Sequence, residues 1–140
     1  MAISNLRGKN DFPPLLHLTY KLQHISDEML LQKVGVGLSQ ARIMSVLKTA
    51  LPHSQRFIAG QLSVTEANIS RQLRVMQKQG LVSVKKNRRD ARTRDVVLTV
   101  KGAKKYNQAE KLLFRQNTDL LKSMKKSEAK AFSKATESLL

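Results

Sequence analysis

Residues 85–95 read KKNRRDARTRD, six Lys or Arg side chains around an internal Asp90, with Asp95 closing the run. Arg88, Arg89, Arg92 and Arg94 carry the planar guanidinium fork that pairs with phosphates and fits a narrow, electronegative groove. Just upstream, Thr65, Asn68, Ser70, Arg71, Arg74 and Lys78 bring a second set of polar and cationic groups. Asn and Arg make two-pronged hydrogen bonds with adenine and guanine edges, whereas a Lys at a helix end more often reaches phosphate. The chemistry on offer is non-covalent recognition of a polyanion, with one set of residues suited to reading bases. A solvated charged face has the same composition, so the elements that hold these residues must separate the two.

Composition narrows the field. The chain has 140 residues, enough for one domain with a real core. Its net charge is +16, and only 4% of it is aromatic, with no Trp, so platforms for stacking bases are scarce. The sequence pI of about 10.6 fits a nucleic-acid binder. Anionic membranes and acidic proteins would attract the same charge. Residues 71–111 hold 13 of the 26 basic residues against three acids, which makes a patch. With no Cys, disulfides, thiolate nucleophiles and Cys-based zinc sites are excluded. MAISNLRGKNDF lacks the apolar core of a signal peptide and no stretch is long enough to span a bilayer, so a cytoplasmic protein without membrane contact is expected. No phosphate-cradling Gly loop, nucleophile elbow or metal motif is present; no enzyme activity and no cofactor are expected.

The positioning elements follow from periodicity. Residues 1–10 read as a loose arm. Asp11, Pro13 and Pro14 mark a helix start, followed by a seam of Leu15, Leu18, Leu22, Ile25 and Met29 that Gly35 and Gly37 break. Ser39 can cap a second helix with Ile43, Val46, Leu47 and Ala50 on one face, ended by Pro52. Ser54 opens a third with Phe57, Ile58 and Leu62. Thr65 caps a fourth, whose buried stripe is Ile69, Leu73 and Met76 and which Gly80 stops. Asn68, Arg71, Gln72, Arg74, Val75 and Lys78 then point away from the core. Leu81, Val82 and Val84, and then Val96, Val97, Leu98 and Val100, read as two strands of a hairpin with the basic run as its loop. A long helix from about Val100 to Lys125 carries Ala103, Tyr106, Leu113, Leu120 and Met124. Ser127 can cap a last helix with Phe132, Ala135 and Leu139 inward.

Ala59, Ser63, Val64 and Ile69 have helix-turn-helix spacing, with a small residue where the helices cross and Ser where Gly is usual. Over residues 38–102 the chain resembles MarR-type transcriptional regulators. That family's pattern is a helix-turn-helix, then KGLV, a charged wing with D-x-R, then LT-x-x-G. Here the pieces are Gln79-Gly80-Leu81-Val82, Asp90-Ala91-Arg92 and Leu98-Thr99-Val100-Lys101-Gly102, in register. The resemblance implies a mainly α fold. It consists of a winged helix-turn-helix lobe (38–102) with a two-stranded β-hairpin wing, and flanking dimerisation helices (11–34 and 103–140). It also implies that Arg92 enters a minor groove and that Asp90 orients wing arginines by a charge-assisted hydrogen bond. The family often has a second Arg where Ala91 stands.

The flanking helices would interlock with those of a second copy, giving a homodimer that reads a pseudo-palindrome in double-stranded DNA, most often as a repressor. The family often binds small anionic or aromatic effectors between the dimer helices and the reading lobe; His17, Tyr20 and His24 are candidates to line such a pocket. His17 and His24 lie seven residues apart, and no metal site is expected from them. The competing reading is a non-specific architectural DNA or RNA binder that uses the wing as charge alone.

Overall fold

The computed structural model describes residues 12–140, so the expected N-terminal arm and Asp11 lie outside the described residues. Helix α1 spans Pro14–Lys33, α2 Leu38–Leu47, α3 Gln55–Leu62, α4 Glu66–Lys78, α5 Val100–Lys122 and α6 Lys126–Leu139. The strands are β1 His53–Ser54, β2 Val82–Lys86 and β3 Arg94–Leu98. The architecture is mainly helical, as expected. The sheet has three strands rather than two, all antiparallel in the order β1-β3-β2. His53 pairs with Val96, and β2 runs from Val82 opposite Leu98 to Lys86 opposite Arg94.

Hydroxyl caps set three of the six described helix starts, those of α3, α4 and α5. Ser54 Oγ accepts from Phe57 N at 3.1 Å and Thr65 Oγ1 from Asn68 N at 3.2 Å, as anticipated. Two other expected caps fall elsewhere. Helix α2 starts from Gly37, whose N–H donates to Gln40 Oε1 at 3.1 Å, and Asp27 of α1 accepts the Leu38 N–H at 2.7 Å. A carboxylate from a neighbouring helix therefore does the work assigned to Ser39. Helix α6 starts from Lys125, whose N–H donates to Glu128 Oε2 at 3.2 Å, so Glu128 rather than Ser127 sets its register. Helix α2 also stops at Leu47, short of Pro52, and Ala50 turns left-handed at φ 61° instead of joining the buried face.

The core fills the winged lobe and takes in the end of α1 and the first turns of α5, through Leu30, Val34, Tyr106 and Ala109. Leu30, Ile43, Met44, Leu47, Ile58, Ile69, Leu73, Met76, Leu81 and Val96 are fully buried. Ala59 is buried where α3 crosses α4, and Phe57 is exposed, its ring stacked on His53 at 4.5 Å. Outside the lobe burial falls off. The α1 seam is half-buried at Leu18, Leu22, Ile25 and Met29, while Leu15 is exposed. No α6 residue is buried; Phe132 is half-buried, but Ala135 and Leu139 face solvent in the single chain, contrary to expectation.

The turn between α3 and α4 holds Ser63 left-handed at φ 54°, closed by the Val64 N–H to Ala59 O at 3.1 Å. An L-residue there costs about 1–2 kcal/mol, and Gly returns part of the gain through its looser unfolded chain. Ser63→Gly is expected to raise stability by about 0.5–1 kcal/mol. A urea midpoint that falls on this substitution would show that the Ser63 side chain contributes contacts outweighing the strain.

Candidate nucleic-acid interface

Helix α4 is built as a two-faced rod. Ile69, Leu73 and Met76 are buried against the lobe. Arg71, Arg74 and Lys78 are exposed and share one ridge at helical spacings of three and four, opposite that stripe. Asn68 and Gln72 sit half-buried on one flank, where Gln72 Nε2 donates to Asn68 Oδ1 at 3.5 Å. Ser70 is half-buried on the other flank. Thr65 is exposed, but its hydroxyl is engaged as the cap of α4, so its first task is to start the helix.

The wing is a folded turn. The Asn87 N–H donates to Thr93 O at 3.0 Å, closing the loop between β2 and β3. Asn87 Oδ1 accepts the backbone N–H groups of Arg89 (2.7 Å) and Asp90 (3.1 Å), and its amide donates to the Asp95 carboxylate at 3.0 and 3.2 Å. Asp90 Oδ1 accepts the Arg92 backbone N–H at 3.0 Å, and Asp90 O accepts from Thr93 N and Oγ1, each at 3.1 Å. The Asp90 carboxylate thus accepts its hydrogen bond from the Arg92 backbone N–H. Among the described residues Asp90 makes no ion pair, and it acts on Arg92 through the backbone. An Asx-type turn orders only backbone, whereas a guanidinium pair would also immobilise a long side chain. The heads of Arg88, Arg89, Arg92 and Arg94 stay exposed.

Reading the sequence missed Asn87 and Asp95. The signal available was an Asn just after a strand, two residues before the next backbone N–H it binds.

A lock joins α4, the wing and α5. Thr99 Oγ1 donates to Gly80 O at 2.5 Å and accepts the Gly102 N–H at 3.0 Å, which caps α5. Thr99 N donates to Leu81 O at 3.1 Å, and Lys101 Nζ to Gln79 O at 2.8 Å. Gly80 takes φ 74°, the left-handed stop after α4. The Gly80 and Leu98-Thr99 motifs, far apart in sequence, thus meet and fix α4 against the wing.

The chain also has an open cavity of about 300 Å³ between α2 and α5, lined by Leu38, Ala41, Arg42, Ser45, Lys48, Tyr106, Glu110, Leu113 and Phe114. The Tyr106 hydroxyl donates to Glu110 Oε1 at 3.1 Å, and Lys48 Nζ lies 3.8 Å from the same oxygen. Burial pushes the Tyr106 hydroxyl pKa up, and the hydrogen bond to Glu110 and its charge push the same way. His17, Tyr20 and His24, the sequence candidates for a pocket, do not line this cavity. They lie on α1, where Tyr20 and His24 are exposed and stack at 6.4 Å, and His24 Nε2 is 3.3 Å from Glu28 Oε1. His17 Nε2 is buried without a hydrogen-bond partner among the described residues. The pocket-forming signal lay in α2 and α5, which only tertiary packing brings together.

No curated protein matches the chain significantly. Residues 37–93 match the family model of the MarR family. Among solved structures, a MarR/EmrR family transcriptional regulator from Acinetobacter sp. ADP1 is 26% identical, with 89% of this chain and 88% of that chain covered and a TM-score of 0.72. MepR from S. aureus, solved as a DNA complex, is 16% identical with 99% and 96% covered and a TM-score of 0.77. A mutant MarR from E. coli in complex with operator DNA is 21% identical with 94% and 96% covered and a TM-score of 0.74. The fold is the winged helix-turn-helix of these structures, and the stretch 37–93 is similar to the MarR family. The family match spans the helix-turn-helix and most of the wing, and the structural likeness extends the fold through the flanking helices. Among the described residues no helix is long and apolar enough to cross a membrane.

Proposed function

We propose that the protein is a sequence-specific regulator of transcription, a homodimeric repressor that occupies a pseudo-palindromic site in double-stranded DNA. The observation that carries this reading is the α4 ridge of Arg71, Arg74 and Lys78, exposed opposite a fully buried stripe and flanked by a turn-ordered wing that presents Arg92. A ridge of this kind enters the major groove while the wing reaches the adjacent minor groove. MepR and the E. coli MarR mutant, both solved with DNA, have the same fold.

In this reading residues 38–102 form the DNA lobe, and residues 11–34 and 103–140 the dimer helices. Phe12, Leu15, Leu16, Tyr20, Phe114 and Leu139 are exposed in the single chain, and α6 buries nothing. Apolar surface of this extent calls for a partner face, and a second copy supplies a matching one. A two-fold then spaces the two α4 helices by about 34–36 Å, one DNA turn. A small anionic effector would belong in the α2–α5 cavity, beside Arg42 and Lys48, and would release DNA only by favouring one lobe spacing over the other. The protein would act in the cytoplasm, without a cofactor.

Selection of bound duplexes from a random library tests the reading. An inverted repeat with half-sites one turn apart is the expected survivor; survivors without a consensus would leave only the architectural binder. On the selected site Arg71→Ala is expected to cost about 1–3 kcal/mol and to relax preference at one position, and Asn68→Ala to do the same at another. Fluorescence anisotropy on matched and mismatched duplexes at one salt concentration measures both.

A further inference from the structure

The winged lobe does not hold all the charge. Residues 100–139 carry ten Lys or Arg against four acids. On α5, Lys104, Lys111, Arg115 and Lys122 recur at steps of seven, four and seven, which keeps them on one line of the helix. All four are exposed, while the buried residues of α5, Gly102, Tyr106 and Ala109, lie on the opposite side. None of the four makes a hydrogen bond or ion pair among the described residues. The other α5 cations are engaged: Lys101 on Gln79 O and Lys105 on Val34 O. Glu110 is turned away toward Tyr106 and Lys48, and Asp119, beside the line, makes no ion pair.

We propose that this line is a second DNA-binding surface, which holds a separate duplex by its phosphates while α4 and the wing hold the first; the inference rests on the regulator reading above. Lys104 to Lys122 spans about 27 Å at 1.5 Å per residue. Duplex DNA carries one charge per about 1.7 Å, so a straight row of unpaired cations over that length meets a continuous row of phosphates. The line also leaves the reading lobe. Only the start of α5 locks to the wing base, and by Gln116 the helix packs on α1 through a 2.7 Å hydrogen bond with buried Ser26. A second copy is a poor occupant, because a two-fold would set like charges against each other. The exposed apolar Phe114 lies on a different side of α5 and stays available to the dimer.

The test uses the full chain and two short duplexes, one donor-labelled and one acceptor-labelled. Wild type is expected to bring them together in a single complex, read by energy transfer. Lys111→Glu/Arg115→Glu/Lys122→Glu is expected to lose that signal by about tenfold or more while still binding one duplex with affinity changed by about threefold or less. If the reversal disturbs folding, the Gln versions at the same positions carry the same expectation. Wild type that binds one duplex but never two would overturn the proposal, as would bridging that survives in the variant. Anionic phosphatidylserine vesicles held in preference to the second duplex would overturn it too. Failure of wild type to bind even one duplex would overturn the regulator reading itself.

Discussion

Gly102→Ala is expected to destabilise the protein by about 3 kcal/mol or more, the largest single-methyl effect in the chain. Gly102 is buried in the first turn of α5. A Cβ there would run into the carbonyl oxygen of Leu81, come within 2.9 Å of the Leu81 carbonyl carbon and sit 3.2 Å from Leu98 Cδ2. The Leu81 oxygen cannot rotate aside, because it belongs to the backbone and already accepts the Thr99 N–H at 3.1 Å. Relief requires α5 to lift off the wing base, which breaks the Thr99 and Lys101 bonds to the end of α4. Gly60 provides the control. It lies on the exposed face of α3 with nothing within 4 Å of its Cβ position. Gly60→Ala is expected to be neutral or to stabilise by up to about 1 kcal/mol through helix propensity. Urea midpoints of the two variants decide the matter. A Gly102→Ala midpoint close to wild type would mean that α5 docks more loosely than the contacts require.

That lock also marks where sequence reading runs out. The Gly80, Leu98-Thr99 and Gly102 motifs are visible as spacings, but their purpose is not. The Thr99 hydroxyl meets Gly80 O across nineteen residues, a contact that only the fold creates. The stripe of Ile69, Leu73 and Met76 was legible because one helix burying one face imposes its own period. The two-residue strand β1 was not, since His53 and Ser54 are too short to show alternation. Caps failed where the satisfying group came from outside the expected position, from Asp27 for α2 and from Glu128 for α6. The polar pattern marks a helix start to within a residue or two, but which oxygen reaches the free N–H depends on packing. The α2–α5 cavity was not legible for a related reason: its lining comes from two helices that are far apart in the sequence and meet only in the fold.

Asp90→Ala is expected to weaken DNA binding by about 1 kcal/mol, or roughly fivefold, although it makes the wing more positive. Coulomb's law alone predicts the reverse, because removing an anion from a run of six cations raises attraction for phosphate. The structure opposes that through order. Asp90 Oδ1 holds the Arg92 N–H at 3.0 Å, so the carboxylate fixes the backbone from which Arg92 projects. Without it the loop between Asn87 and Thr93 loses one of its closing bonds, and each residue released must be ordered again on binding, at about 1–2 kcal/mol apiece. That cost exceeds the gain from one more net positive charge on an exposed, salt-screened loop. Arg92→Ala removes the head proposed to enter the minor groove and is expected to cost about 1–3 kcal/mol. The double variant should lose little more than Arg92→Ala alone, because the two residues act as one unit. Anisotropy titrations of the three variants on one duplex at fixed salt give the comparison. Tighter binding by Asp90→Ala would reduce the wing to a charged loop and leave α4 as the sole source of specificity.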